Sequence, residues 1–227
     1  MPHVRLDAPV PVNGTTLLDA ATSHHLLRVR RLPRDATFIV SDGEGSLAQA
    51  QLIDVRDGRA TLRIVGPWSA GPPRPPRHLV WAIPKGPALE TGLRMAVEAG
   101  VTAIHLALGA RSVPRSDRHD RWHRIIASAC AQCGRADHPH LDPLWPTLAQ
   151  AIDQVPEAVQ GYIAAPGAGK PALAGEGRAV AIGPEGGFAP HELDHLLDHG
   201  WQPLGLGPHV LRSDTAAAIG VARLNQD

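Results

Sequence analysis

Cysteine is scarce in this 227-residue chain, and long apolar runs are missing altogether. Two cysteines cannot build the disulfide framework of a small secreted domain. No stretch approaches the ~18 consecutive apolar residues that a membrane span needs. The first ten residues show no charged segment followed by an apolar one, so we expect no signal peptide. The sequence therefore predicts a soluble, cytoplasmic protein that does not associate with membranes.

A net charge of either sign is also missing. The 22 Lys and Arg residues are matched by 22 Asp and Glu residues, which excludes a uniformly basic coat for nucleic acid. The charges are spread unevenly, because residues 71–145 carry 10 basic and 6 acidic side chains, whereas residues 146–227 carry 4 and 9. We therefore expect any polyanion to bind the middle of the chain.

Several catalytic signatures are missing too. The absence of GxGxxG and GxxxxGK[ST] argues against dinucleotide and P-loop sites, and neither HExxH nor GxSxG occurs. Cys130 and Cys133 form a CxxC with His138 and His140 nearby. This spacing is tight for a zinc tetrahedron, and a redox CxxC normally lies where a strand meets a helix N-terminus. Packed thiols are favoured, and the sequence predicts no metal site.

A proline-rich segment at 66–77 divides the chain. Four of the residues from 72 to 76 are proline, which forbids helix and favours an extended linker. The predicted organisation is a small β domain at 1–70, a linker at 71–77 and an α/β domain at 78–227.

The predicted elements differ on the two sides of this linker. The first part has a helix at Ser23–Leu32, capped by Thr22 or Ser23, and then a β-meander that turns at Asp57-Gly58. The second part alternates, which indicates a parallel sheet with helices on both faces. Its strands are predicted at 78–84, 101–108, 159–165, 178–183 and 203–207, and its helices at 89–97, 117–132, 190–199 and 213–224.

Two glycine-rich segments follow predicted strands, where open α/β sheets bind ligands. The segment IGPEGGF at 182–188 leads into a helix, and its glycines allow a ligand to approach backbone amides. The segment at 204–220 places Gly205 and Gly207 after the next strand, with Ser213 as the expected cap of the last helix. The two loops either form opposite walls of one pocket or are unrelated turns, and the residues alone leave both open.

A series of arginines lies on one predicted helix. Arg118, Arg121 and Arg124 are three residues apart and form a basic stripe. Such a stripe can neutralise phosphates with little sequence discrimination. The residues alone favour the alternative, a solvated face paired with Asp117 and Asp120.

Taken in order, these segments resemble the RsmE-type 16S ribosomal RNA (uracil-N3) methyltransferases of the SPOUT superfamily. The resemblance is carried by HHLLRVRRLPRDA (24–36), Lys85-Gly86 with Glu90, VEAGV (97–101), Arg111-Ser112, AQCGR (131–135), IGPEGGF and LGPHVLRSDTA (206–216). It implies an α/β fold: a PUA-like β-barrel followed by a trefoil-knotted SPOUT domain with a mostly parallel sheet, working as a homodimer. It also implies S-adenosylmethionine as cofactor and, as substrate, N3 of one uridine in 16S rRNA within the assembled 30S subunit.

The resemblance also assigns site residues. Those expected to bind the cofactor are Gly183, Pro184, Glu185, Gly186, Gly187, Leu206, Gly207, Val210, Leu211 and Ser213. Those expected to bind RNA are Arg28, Arg31, Lys85, Arg111 and Arg212. Arg135 is expected to stabilise negative charge on a uracil oxygen, and Asp214 to accept the N3 proton. Asp214 has an alternative role, as a helix cap or an arginine partner.

Two departures from the family pattern leave other functions open. His209 stands where arginine is usual, and Asp214 stands where glutamate is usual. One alternative is a non-catalytic factor of the same fold that binds the ribosome or RNA, and another is a knotted methyltransferase for a different RNA base. We expect Gly186→Val to abolish cofactor binding, since a Cβ there would fill the pocket wall, and Arg135→Ala to abolish transfer alone.

Overall fold

The computed structural model describes residues 3–6, 12–29, 31–70, 74–113, 117–169 and 171–226. These residues form two compact units, Met1–Pro73 with Cys130–His138, and Arg74–Ala129 with Pro139–Asp227. Residues 71–73 of the predicted linker lie outside the described residues, and Arg77 already begins a strand. Within the described ranges, no helix is long and apolar enough to cross a bilayer.

The first unit contains a six-stranded sheet in the order β1-β3-β4-β5-β2, with β6 paired to β4. Its strands are β1 (His3–Arg5), β2 (Thr15–Leu17), β3 (Thr37–Ser41), β4 (Ser46–Arg56), β5 (Arg59–Ile64) and β6 (Ser69–Ala70). The predicted meander is confirmed, because β3, β4 and β5 are antiparallel neighbours. Asp57 and Gly58 turn between β4 and β5 with φ of +49° and +74°. Two positive values are what a two-residue type I′ hairpin requires.

The helix of the first unit begins and ends earlier than predicted. It consists of α1 (Ala20–His24) and a π-helical segment (His25–Val29). Asp19 is the N-cap, since its Oδ1 accepts the Thr22 amide at 2.9 Å, so the prediction of Thr22 or Ser23 was wrong. Ser23 is buried, and its Oγ accepts a backbone amide of β5 at 3.0 Å. A hydroxyl that the sequence suggested for the cap therefore joins the helix to the sheet.

The second unit contains a sheet in the order β12-β10-β11-β7-β8-β9, in which every pair of neighbours is parallel. Its strands are β7 (Arg77–Ala82), β8 (Ala103–Ala107), β9 (His140–Leu141), β10 (Gln160–Ala164), β11 (Arg178–Ile182) and β12 (Gln202–Leu204). The predicted parallel sheet is confirmed. The two-residue strand β9 was not predicted, because it is too short to show a periodicity.

Helices cover both faces of this sheet, as predicted. They are α2 (Ala88–Glu98), α3 (His119–Cys133), α4 (Leu148–Ile152), α5 (Pro190–Asp198) and α6 (Ser213–Leu224). Alternate residues of β11 show the two faces: Ala179 and Ala181 pack with α4 and α5. Val180 and Ile182 lie against Gly220 of α6. Because consecutive strand residues point to opposite faces, α4 and α5 cover one side and α6 the other.

Candidate active site

A cavity of about 430 Å³ opens where β10, β11 and β12 end. Its lining comes from residues 164–166 after β10, from 182–185 and 187–188 after β11, and from 206–207, 209–213 and 216 after β12. The volume lies within the ~300–1,000 Å³ range of small-molecule sites. The two glycine loops are therefore walls of one pocket and not unrelated turns.

The loop after β11 is a tight turn that depends on glycine. Gly187 donates its amide to the Pro184 carbonyl at 2.8 Å and has a φ of +69°, which side chains with a Cβ rarely adopt. A Cβ added to Gly183 would lie 3.3 Å from the Gly187 carbonyl carbon and from the Phe188 amide nitrogen. Small residues therefore let the backbone fold back on itself and form the pocket wall.

A hydrogen-bonded chain joins the two walls to the core. Trp81 of β7 is fully buried, and its indole N–H donates to the Ser213 Oγ at 2.9 Å. Ser213 Oγ in turn donates to the Gly183 carbonyl at 3.2 Å. The N-cap of α6 is Arg212, so the expectation that Ser213 caps the helix was wrong. The Ser213 hydroxyl instead positions the loop after β11 relative to the start of α6.

Two further motifs meet the IGPEGGF loop within the second unit. The Lys85 amide, after β7, donates to Glu185 Oε1 at 3.0 Å and to Oε2 at 3.3 Å. Arg111, after β8, donates from Nη1 to the Gly186 carbonyl at 2.7 Å. Ser112 accepts the Gly109 amide and donates to the Ile83 carbonyl at 2.9 Å. The ends of β7, β8 and β11 are therefore connected at one edge of the sheet.

Gly186 is the only residue of the expected cofactor set that does not line the cavity. A Cβ on Gly186 would lie 3.3 Å from both Cβ and Cδ of Arg111. The expectation that a Cβ at position 186 would fill the pocket wall was therefore wrong, because that carbon would contact Arg111.

Sequence reasoning missed two contributors to this site. Residues 164–166 line the pocket, and the available signal was that they lie at the carboxyl end of a predicted strand of the same parallel sheet. Glu192 is buried, and its Oε1 and Oε2 accept the Ala110 and Ala189 amides, each at 2.7 Å. The Glu192 carboxylate thereby ties the segment that carries Arg111 to the start of α5. Nothing in the local sequence indicates the contact with Ala110, since 82 residues separate the partners.

Asp214 lies in the first turn of α6, next to the pocket residue Ser213. Its Oδ1 accepts the Thr215 amide at 2.9 Å and lies 3.5 Å from Nε of Arg212. The carboxylate is nearly buried and is not part of the cavity lining. The structure thus shows Asp214 paired with an arginine, which was the alternative to its role as proton acceptor. Both contacts involve Oδ1, and Oδ2 takes part in neither of them.

Arg135, the other catalytic candidate, belongs to the first unit. It is buried, and its Nη2 lies 2.5 Å from Asp137 Oδ2. Cys130 and Cys133 are in the same region, and neither forms a disulfide. Burial raises the pKa of the Cys130 thiol to about 12, so it stays protonated at neutral pH. Cys130 is therefore a packed thiol as predicted, whereas Cys133 is exposed, which the prediction of packed thiols did not anticipate.

The expected RNA-binding side chains are exposed, and they are divided between the two units. Arg28 and Arg31 belong to the first unit, whereas Lys85, Arg111 and Arg212 belong to the second. Arg212 contributes to the cavity lining. The set therefore supplies separate positive positions on each unit.

The basic stripe contributes to a cleft of about 330 Å³ lined by Arg94, Arg121, Arg124, Ile125 and Ser128. Arg121 pairs with Glu90 at 2.7 Å, whereas the sequence had suggested Asp117 or Asp120. The hydrogen bond from Arg121 holds the pKa of Glu90 below its usual value. Arg94 and Arg124 line the same cleft as Arg121.

Both parts of the chain match known protein families. Residues 72–225 match the RNA methyltransferase domain family, and residues 18–65 match the RNA methyltransferase PUA domain family. The ribosomal RNA small subunit methyltransferase E of Mycobacterium tuberculosis is 31% identical over 95% of this chain and 88% of its own length. The Synechocystis protein of the same name is 32% identical over 94% of this chain and 74% of its own length.

Solved structures give the same result. The ribosomal RNA small subunit methyltransferase E of Neisseria gonorrhoeae, bound to S-adenosyl methionine, superposes with a TM-score of 0.88 at 28% identity, covering 98% of this chain and 95% of its own. A Legionella pneumophila methyltransferase in complex with the same cofactor gives a TM-score of 0.86 at 27% identity, covering 98% and 96%. The predicted α/β fold with an N-terminal PUA domain is thereby confirmed. The chain belongs to the ribosomal RNA small subunit methyltransferase E family.

Proposed function

We propose that the pocket between the glycine loops binds S-adenosylmethionine and that the chain methylates the rRNA of the small ribosomal subunit. The observation that carries this proposal is the cavity itself. It lies at the carboxyl ends of parallel strands, in a chain that superposes on two cofactor-bound relatives. We further propose that the enzyme is cytoplasmic and works as a knotted homodimer, as the sequence resemblance implies.

The residues present fit this cofactor. Apolar side chains line the cavity and suit the faces of an adenine ring; they are Ile182, Phe188, Leu206, Val210 and Leu211. Gly183, Gly187 and Gly207 carry no side chain, so a ligand can contact their backbone amides and carbonyls directly. When bound, S-adenosylmethionine supplies a methyl group activated by a positively charged sulfur.

The substrate atom we propose is N3 of one uridine in 16S rRNA, within the assembled 30S subunit. Uracil N3 carries a proton near neutral pH, so the enzyme has to favour its loss. We assign to Arg135 the stabilisation of negative charge on a uracil oxygen, and to the Oδ2 side of Asp214 the acceptance of the proton. The paired guanidinium of Arg135 and the fixed Oδ1 of Asp214 support defined side-chain orientations.

The cleft of Arg94, Arg121 and Arg124 fits the phosphate backbone of this RNA. Its charge comes from three guanidinium groups on α2 and α3, one of which is neutralised by Glu90. Guanidinium groups bind phosphate oxygens without reading sequence, so the cleft would position the substrate and not select the base.

Methyl transfer to isolated 30S subunits tests the proposal directly. Subunits from cells that lack this activity are incubated with protein and radiolabelled S-adenosylmethionine, and the modified nucleotide is mapped by mass spectrometry. We expect N3-methyluridine at one position of 16S rRNA, and loss of transfer in Arg135→Ala with unchanged cofactor affinity. Label on another base, or on free RNA in preference to subunits, would contradict the proposed substrate. Cofactor binding without transfer to any RNA would indicate a non-catalytic factor.

A further inference from the structure

Three metal-ligating side chains converge on the surface of the second unit, outside the pocket. His195 and His199 lie one turn apart near the end of α5, and Asp153 follows the last residue of α4. The Nε2 atoms of His195 and His199 lie 3.1 and 3.4 Å from the same oxygen, Asp153 Oδ1. One ligand atom from each residue lies within 4.8 Å of the others. None of the three residues lines the cavity.

The hydrogen bond of His199 to the backbone indicates which of its ring nitrogens faces Asp153 with a lone pair. Its Nδ1 lies 2.9 Å from the His195 carbonyl oxygen, which can only accept, so Nδ1 carries the proton. In a neutral imidazole the Nε2 atom then carries a lone pair, and this lone pair faces a carboxylate oxygen at 3.4 Å. Two acceptors in this arrangement repel each other. A metal ion bound between them removes the repulsion.

The two distances from the histidine nitrogens to Asp153 Oδ1 fit a metal ion. Zinc bonds imidazole nitrogen and carboxylate oxygen at roughly 2.0–2.2 Å in tetrahedral sites, so neighbouring ligand atoms are about 3.3 Å apart. The two nitrogen–oxygen distances lie on either side of this value. The His195 carbonyl that accepts Nδ1–H of His199 also fixes the ring so that Nε2 faces Asp153. Metal-bound histidines are commonly oriented in this way, by a hydrogen bond from the other ring nitrogen to a carbonyl or carboxylate.

We propose that Asp153, His195 and His199 form a binding site for a divalent transition-metal ion of the zinc class, with water as the remaining ligand. Two imidazoles and one carboxylate are a donor set that zinc accepts and that magnesium does not favour. The side chains are 51%, 31% and 41% exposed, so an ion enters from solvent without opening the fold. The bound ion links the end of α4 to the end of α5.

Zinc titration of untagged protein tests the site. After treatment with a chelator and dialysis, ZnCl2 is added in an isothermal titration and in a thermal-unfolding series, and MgCl2 is run in parallel. The ligand variants are Asp153→Asn, His195→Gln and His199→Gln. The control is His191→Gln, since His191 is exposed one turn earlier on α5 and is not in the cluster. Circular dichroism without metal checks that each variant folds.

We expect one zinc ion per wild-type chain, a rise in the unfolding midpoint with zinc but not magnesium, and the same behaviour in His191→Gln. Each ligand variant should lower zinc affinity by about tenfold or more. Loss of a hydrogen-bond partner of a ligand already lowers metal affinity ~10–100-fold, and loss of the ligand itself should lower it at least as much. No zinc-dependent shift in the wild type would overturn the proposal, and so would a shift that survives in all three ligand variants. Cofactor binding and methyl transfer are separate readouts, so failure here leaves the proposed enzyme activity untouched.

Discussion

Two polar regions of the second unit differ in how their hydrogen bonds are used. The pocket is lined by glycine loops and apolar side chains, and its glycines allow a ligand to reach the backbone. The second region, here called the histidine network, consists of His78, His105, His140 and Asp142. In it, His78 Nδ1 lies 2.9 Å from His105 Nε2, and Asp142 lies 2.6 Å from His105 and 2.8 Å from His140. Trp145 donates to the same carboxylate at 3.0 Å.

The histidine network contributes to the stability of the fold, whereas the pocket provides for ligand binding. In the network, polar side chains satisfy one another and leave little to offer a ligand, so its contribution is to the folded state. At the pocket, the hydrogen bonds from Trp81 to Ser213 and from Ser213 to the Gly183 carbonyl serve to hold two loops together. Perturbing the network should change stability with pH, whereas perturbing the pocket should change cofactor affinity.

The largest effect is expected at Gly205, at the base of the pocket loop. A Cβ there would lie 2.1 Å from the Ala168 carbonyl oxygen, a backbone atom that cannot move aside. Gly205→Ala should lower the free energy of unfolding by about 3 kcal/mol, or the thermal midpoint by roughly 6–12 °C. The control is Gly207→Ala in the same loop, because a Cβ on Gly207 meets nothing within 4 Å. Equal midpoints for the two variants would show that the loop does not pack as described.

The next effect is the pH dependence of the network. Burial lowers the pKa of His78 to about 4 and that of His105 in the same direction from 6.5. Between pH 6.5 and 4 the unfolded chain therefore binds more protons than the folded one, so stability is complete above pH 6.5 and is lost as the pH falls. Thermal unfolding across this range should show a falling midpoint, with a smaller fall in His78→Gln. A midpoint independent of pH would contradict the lowered pKa values of His78 and His105.

A smaller loss is expected from Ser213→Ala. The change leaves the buried indole N–H of Trp81 without its acceptor, which should cost about 1–3 kcal/mol, and it releases the Gly183 loop. Cofactor affinity should therefore fall together with stability. Thr215→Ala, two residues further along α6, removes a hydroxyl that donates to Asp214 Oδ1 at 3.4 Å, and it should change both by much less. Ser213→Ala with normal affinity would show that the two loops are positioned independently.

The smallest effect is expected from Gly186→Ala. The added Cβ would lie 3.3 Å from the flexible side chain of Arg111, which is exposed and can shift. Stability should change by less than about 1 kcal/mol, and cofactor affinity should stay near that of the wild type. A large loss of cofactor affinity in titration would show that Gly186 does form part of the pocket wall.

Regular patterns in the sequence predicted much of this fold. The last helix begins at Ser213 and ends at Leu224 as predicted, because an apolar and alanine-rich run is bounded by turn residues on its N-terminal side. The Asp57-Gly58 hairpin followed from its turn chemistry. Helix α4 was missed, although Thr147 and Gln150 have capping-box spacing and Thr147 does cap it.

The misses at the site have a different cause, since they depend on contacts between distant residues. Ser213 reads as a helix cap until Trp81 is placed beside it, and these two residues are 132 positions apart. His195 on α5 and His199 at its C-cap meet Asp153, which lies 42 residues before His195. No local pattern contains such pairings, because the topology of the sheet brings them about.

The most direct test of the account is titration of the purified protein with S-adenosylmethionine, in parallel for the wild type, Ser213→Ala and Thr215→Ala. Saturable binding of one cofactor per chain, weakened in Ser213→Ala and retained in Thr215→Ala, is the predicted result. No binding to protein that is shown to be folded, or equal binding by all three proteins, would contradict the assignment of the pocket.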